Sequence, residues 1–230
     1  MRSGLSINRP FRACLLLVLC ASATLIFNQQ ARAQCAPRDV MRRNPSFITP
    51  SSGTTRPAPI ESAAGTQVWK SVQIGTFASK RALYQVFEDT DCSIGDTAEQ
   101  ILVAPEFKLS GVVTKIDLVA TSVSELGITR ETATLKNIYA RAQKLGFALA
   151  AAEVGPQLRL QYFDQPMGEF LEIAMAPIKT RDGASSIFSV GNGGAGLLLL
   201  GENISDDSEF DPISRFVFER RTDVADAAHR

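Results

Sequence analysis

The apolar positions of this chain change their period midway. Val68, Val72 and Ile74 mark a first strand. "SKRALYQVFED" (Ser79–Asp89) then sets Ala82, Leu83, Val86 and Phe87 at the i, i+1, i+4, i+5 spacing of one helical face. "DTAEQILVAP" (Asp96–Pro105) predicts a second helix, opened by Asp96 with Glu99 three residues on and stopped by Pro105. "GVVTKIDLVATSV" (Gly111–Val123) alternates and is β-branched, the pattern of a strand. "TRETATLKNIYARAQKLG" (Thr129–Gly146) predicts the third helix. Thr129 caps it, Ala133, Leu135, Ile138, Tyr139, Ala142 and Leu145 form its apolar face, and Gly146 ends it. From there strands dominate: "QLRLQYF", "EFLEIAMAPI", "SIFSV", "GLLLL" and "RFVFER". The pattern predicts an α+β fold, with an N-terminal helix/strand part followed by a mostly antiparallel β-meander.

Side-chain parity predicts one pairing in detail. Leu158, Leu160 and Tyr162 share a face of one strand; Leu171, Ile173 and Met175 share a face of the next. Joining them through "DQPMG" with Leu160 opposite Leu171 places Arg159 opposite Glu172, a cross-strand ion pair. A slip of one residue sets Leu160 against Glu172. In this reading Gln157, Arg159 and Gln161 form the solvated face of a hairpin.

The ends of the chain carry a different composition. Residues 1–33 read as a signal peptide. Arg2, Arg9 and Arg12 precede "ACLLLVLCASATLIF" (Ala13–Phe27), and "ARA" (Ala31–Ala33) is a small-x-small cleavage pattern. The apolar run is shorter than the roughly 20 residues that span a bilayer, so no transmembrane segment is expected after cleavage. Residues 34–66 are rich in Pro, Ser and Thr without apolar periodicity and read as a flexible leader. The single domain is expected over 67–221, with a disordered tail over 222–230. The product is a periplasmic or secreted protein.

Export redraws charge and cysteine content. The chain holds 24 basic and 24 acidic residues; losing Arg2, Arg9, Arg12 and Arg32 leaves 20 against 24, a net −4. That balance supplies no basic footprint for nucleic acid. Of four cysteines, Cys35 and Cys92 stay, and an oxidising compartment invites their pairing across a loop of 57 residues. Such a loop is worth about 4 kcal/mol by chain entropy. Two free or intermolecular thiols are the alternative.

The motifs exclude more than they assign. Gly191, Gly193 and Gly196 match G-x-G-x-x-G, but "LLLL" and Gly201 follow where a dinucleotide site needs a helix. "GNGGAG" reads instead as a β-hairpin turn. The one histidine, His229, removes Ser-His-Asp, Cys-His and H-E-x-x-H chemistry within one chain. "DTD" (Asp89–Asp91) is too short to specify a metal site, and "DDSEFD" (Asp206–Asp211) lacks the spacing of an EF-hand and reads as a solvated acidic loop. No cofactor and no metal site is expected.

The densest polar chemistry is "AEVGPQLRLQYFDQPMGE" (Ala152–Glu169). Glu153 with Glu169 or Asp164 offers an acid/base pair; Arg159 between Gln157 and Gln161 offers a grip on a carboxylate or sugar. The sequence over Ile138–Glu169, "IYARAQKLGF…AEVGPQLRLQY.DQP.GE", resembles a block shared by a group of uncharacterised bacterial proteins, a resemblance that implies no activity. The function expected is a non-catalytic binding or interaction domain of the cell envelope, whose ligand or protein partner the sequence does not identify. Its ligand-binding residues are Glu153, Gln157, Arg159, Gln161 and Glu172. An envelope hydrolase working through a carboxylate pair is the alternative.

Overall fold

The computed structural model describes residues 58–90 and 92–221. The signal peptide, Cys35, most of the leader and the tail lie outside the described residues. The fold is α+β. In chain order the elements are β1 (Lys70–Ile74), α1 (Lys80–Asp89), β2 (Ser93–Ile94), α2 (Asp96–Val103), β3 (Thr114–Ser122), β4 (Ala133–Thr134), α3 (Leu135–Lys144) and β5 (Phe147–Ala148). They continue with α4 (Val154–Gln161), β6 (Phe170–Ile173), β7 (Ile178–Lys179), β8 (Ser185–Gly193), β9 (Gly196–Asn203), β10 (Glu209–Phe210) and β11 (Arg215–Arg220).

The three helices expected from periodicity form, with shifted starts. Ser79 caps α1 by accepting from the Ala82 amide at 3.2 Å, and Leu83 and Phe87 are buried one turn apart. Gly95, not Asp96, is the N-cap of α2; Asp96 and Glu99 sit in its first turn, where the helix dipole favours acids. Thr134, not Thr129, caps α3, because Ala133 and Thr134 pair with β10 before the helix begins. Gly146, at φ +93°, turns the chain out of α3 as expected.

The predicted hairpin of "QLRLQYF" with "EFLEIAM" does not exist. Residues 154–161 are the helix α4, and β6 pairs instead with β8, Leu171 opposite Val190 and Glu172 opposite Ser189. Pro156 stands in the first turn of α4, where the missing N–H costs nothing. Among the described residues nine strands make one sheet in the order β1-β3-β11-β6-β8-β9-β2, with β5 beside β11 and β7 beside β8. β6 runs parallel to β11 and β2 parallel to β9, while the remaining pairs are antiparallel. The sheet is therefore mixed and threaded by crossovers rather than a plain meander. Between β8 and β9 the glycine-rich segment closes a tight hairpin, Gly193 opposite Gly196, as its composition suggested.

Strand alternation divides the core between the two faces of the sheet. Leu118, Leu171, Ile173 and Val217 join Leu83 and Phe87 of α1, Ile101 and Leu102 of α2, and Val154 and Leu158 of α4. Val119, Phe216 and Phe218 point the other way, onto Leu135, Ile138 and Ala142 of α3. Ala63 joins this second cluster and Ile60 packs against it, tied by Ile60 N to Glu125 O and Ala63 N to Leu145 O, both at 2.7 Å. No helix among the described residues is long and apolar enough to cross a membrane.

α4 lies so close to β8 that a Cβ on Gly155 would stand 2.7 Å from Phe188 Cδ2 and 2.8 Å from its Cβ, with Phe188 fully buried. Gly→Ala inside a helix ordinarily stabilises by up to about 1 kcal/mol. Gly155→Ala is expected to reverse that sign, costing roughly 1–3 kcal/mol through overpacking. Urea unfolding of the two proteins measures it, and an unchanged or raised midpoint would show that α4 and β8 are not in contact.

Candidate functional site

The polar row expected to face a ligand turns inward. Glu153, Gln157 and Gln161 recur every fourth residue and so lie along one side of α4. Glu153 accepts from two backbone amides, Gly75 N to Oε1 at 2.8 Å and Ser110 N to Oε2 at 2.6 Å. Gln157 Nε2 donates to Thr76 Oγ1 at 2.7 Å and to Glu153 Oε1 at 3.3 Å. Gln161 Nε2 donates to Gln157 Oε1 and to Gln73 O, while its Oε1 accepts from Gln73 N, all at 2.9 Å. β1 is an edge of the sheet, and the Gln161 amide pairs with Gln73 as a neighbouring strand would. Glu153 and Gln157 are almost wholly buried. Neither acid expected to pair with Glu153 is so engaged: Glu169 accepts from Tyr162 Oη at 2.8 Å and from Arg215 Nη1 at 2.7 Å, and Asp164 stands 3.6 Å from Lys70 Nζ.

Arg159 is the largest fully buried side chain among the described residues, not part of a solvated face, and no ion pair with Glu172 forms. Its Nη1 donates to Gln165 Oε1 and to Gly191 O, and its Nη2 to Tyr162 O at the end of α4; Nε has no partner. Burial lowers its pKa to about 10, so it stays charged at neutral pH. A cation at a helix C-terminus gains from the dipole, and a rigid fork of donors can bind carbonyls from three segments at once. Gln165 continues the lattice, donating to Glu169 O at 3.1 Å and Val190 O at 3.2 Å. Asn192 Nδ2 donates to Gln165 O, and Gly168 N to Asn192 O, each at 2.7 Å. "DQPMGE" is thereby bound to the glycine-rich hairpin, and Gly191 is needed because a Cβ there would meet the Phe170 ring at 2.5 Å.

Glu172 is the expected site residue whose chemistry remains unanswered. On β6 its Oε2 is closed off from solvent without a hydrogen-bond partner. Burial, reinforced by Glu202 of β9 and opposed by a hydrogen bond with Ser189, pushes its pKa up to about 8. Tyr139 of α3 lies on the same side, its hydroxyl donating to Met175 O at 3.2 Å and shifted upward mainly by burial.

A further group was not singled out by sequence reasoning. An open cleft of about 730 Å³ lies at the start of α3, with Arg130, Glu131, Thr134, Asn137, Arg141 and Glu209 among its lining. Arg141 is aimed by one bond, Nε to Leu126 O at 2.8 Å, and passes Gly127, whose φ of +81° and missing side chain leave it room. The acidic segment 206–211 closes the same end of α3, with Leu135 N donating to Ser208 O and Lys136 N to Asp206 O. In the sequence only the four-residue spacing of Asn137 and Arg141 hinted at a shared face, and any solvated helix face shows such spacing.

The Glu172 shift fixes a pH dependence. Its folded value lies above the ordinary 4.5, so protons bind the folded state more tightly and stability is lost as pH rises toward and through about 8. Glu172→Gln removes the ionisation and is expected to stabilise the protein at pH 9 by roughly 1–3 kcal/mol, with little effect at pH 4. Thermal unfolding across that range decides it, and equal loss at both pH values would contradict a buried acid. Compared with protein-family models, with curated proteins and with solved structures, the chain returns no match.

Proposed function

We propose that the protein is an exported, non-catalytic binding domain of the cell envelope, periplasmic or secreted, that takes its ligand in the cleft at the start of α3. The observation that carries this reading is a contrast between two groups of polar side chains. Glu153, Gln157, Arg159 and Gln161 are engaged in holding the fold together, whereas Arg141 reaches the cleft with both Nη atoms unengaged among the described residues. Polar groups held in place on a concave surface are one of the features by which ligand sites fix orientation. The basic start, short apolar run and "ARA" of residues 1–33 support export. In that compartment Cys35 pairs with Cys92, which is buried next to β2, and fastens the leader to the domain.

A second reading rests on Glu172. Burial and the exposed Glu202 hold its carboxyl above the usual carboxylate range, which makes it the candidate general acid of a carboxylate-pair hydrolase. Its Oε2 is closed off from solvent, and a substrate would reach it only if that face of the sheet opened. The two readings separate in one experiment, thermal unfolding against cell-wall fragments, sugars, amino acids and nucleotides with product release followed in parallel. A ligand at 100 times its dissociation constant adds about 2.7 kcal/mol, a rise of roughly 5–10 °C, and binding without turnover is the expected result. Turnover that disappears in Glu172→Gln would replace the binding domain with the hydrolase.

A further inference from the structure

The charges of the α3 cleft define the kind of ligand it fits. Its walls carry two guanidiniums, Arg130 and Arg141, and two carboxylates, Glu131 and Glu209. None of the four takes part in an ion pair among the described residues. A simple anion entering the cleft meets two carboxylates, and a simple cation meets two guanidiniums. A molecule with one charge of each sign satisfies both walls. The volume of about 730 Å³ falls inside the range of small-molecule sites.

The anion end is the better defined. Arg141 uses Nε on Leu126 O, which holds the guanidinium plane and leaves the paired Nη atoms as the two-pronged donor that matches a carboxylate. Asn137 lies one turn earlier on the same face of α3, its side chain exposed in the cleft. The helix N-terminus is not the attracting group, because the Leu135, Lys136 and Asn137 amides already donate to Ser208 O, Asp206 O and Thr134 Oγ1. The opposite wall is β10, where Glu209 stands across from Thr134.

We infer that the cleft binds a small zwitterion bearing a carboxylate and an ammonium, an amino acid or a short peptide with free termini. The carboxylate sits on Arg141 and Arg130, and the ammonium faces Glu209 and Glu131. This rests on the binding-domain reading and names the ligand class of the same cleft.

Saturation-transfer NMR on the purified full chain tests it, with the twenty common amino acids and tri-alanine at millimolar concentration as probes. Tri-alanine amidated at its C-terminus and tri-alanine acetylated at its N-terminus complete the set, with titration calorimetry on any probe that binds and on inorganic phosphate, which carries no non-exchanging proton for the NMR experiment. At least one free-termini probe is expected to bind, and the pattern across the set separates amino acids from peptides. Amidation or Arg141→Gln should each weaken binding about tenfold or more, as loss of a carboxylate–guanidinium contact of at least 1.4 kcal/mol implies. Glu209→Gln should weaken the free amine and leave the acetylated form unchanged. Unfolding midpoints of both variants matching the parent exclude misfolding, and Glu209, being exposed, keeps the test open if Arg141→Gln fails to fold. Silence of every free-termini probe, or undiminished binding of the amidated one, overturns the inference. If phosphate or a neutral wall fragment binds and depends on Arg141, the zwitterion class falls while the binding domain stands. If every ligand found is indifferent to both variants, the cleft itself is overturned.

Discussion

The guanidinium of Arg159, fully buried and without a carboxylate beside it, sets the terms for the surrounding structure. Removing a charge from water costs several kcal/mol even after relaxation, and hydrogen bonds to a charged group return about 1.5–3 kcal/mol each. Bonds to Gln165, Gly191 and Tyr162 can offset that cost only if all three segments are held in place together. The end of α4, the "DQPMGE" turn and the glycine-rich hairpin must therefore coexist in one arrangement. The other side of α4 works in the same way through Glu153, Gln157 and Gln161, which fasten β1 and the segment at Ser110. One eight-residue helix thus closes an edge of the sheet and anchors its middle.

This arrangement limits what α4 itself offers a ligand. Side chains whose donors and acceptors are mostly taken up inside the fold have little left for a ligand, and their burial shuts solvent out. Two polar features lie outside the reach of the helix: Glu172 between β8 and β11, its Oε2 closed off from solvent, and the open cleft beside α3. These differ in kind. Glu172 carries a perturbed proton equilibrium inside the sheet, whereas the cleft carries unpaired charges of both signs at the surface.

Local periodicity made α1, α2, α3, β3 and the β8–β9 hairpin legible, because each shows its own apolar face or turn chemistry. Starts were less so: Thr129 and Thr134 are equally good caps, and only pairing with β10 selects the second. α4 escaped because it is buried on all sides and carries no amphipathic period. The alternation Leu158, Leu160, Tyr162 imitated a strand, although the spacing of Glu153, Gln157 and Gln161 was helical. Those residues stood out in the sequence, but polar side chains are ordinarily solvated, and nothing local says that Gly75, Ser110 and Gln73 wait to receive them. Glu172 was singled out for a partner it does not have. The parallel pairing of β6 with β11 joins segments more than forty residues apart, a relation set by the closed core rather than by either segment.

The central claim is that α4 organises the fold through polar side chains bound to backbone amides, and amide hydrogen exchange at Gly75 and Ser110 tests it most directly. In the native protein both amides should exchange only on global unfolding. Glu153→Gln offers an NH2 where one of them needs an acceptor, and should speed that exchange while distant core amides such as Val217 change only with overall stability. Exchange at both sites as fast as in an open loop, and unaltered by the substitution, would contradict the account.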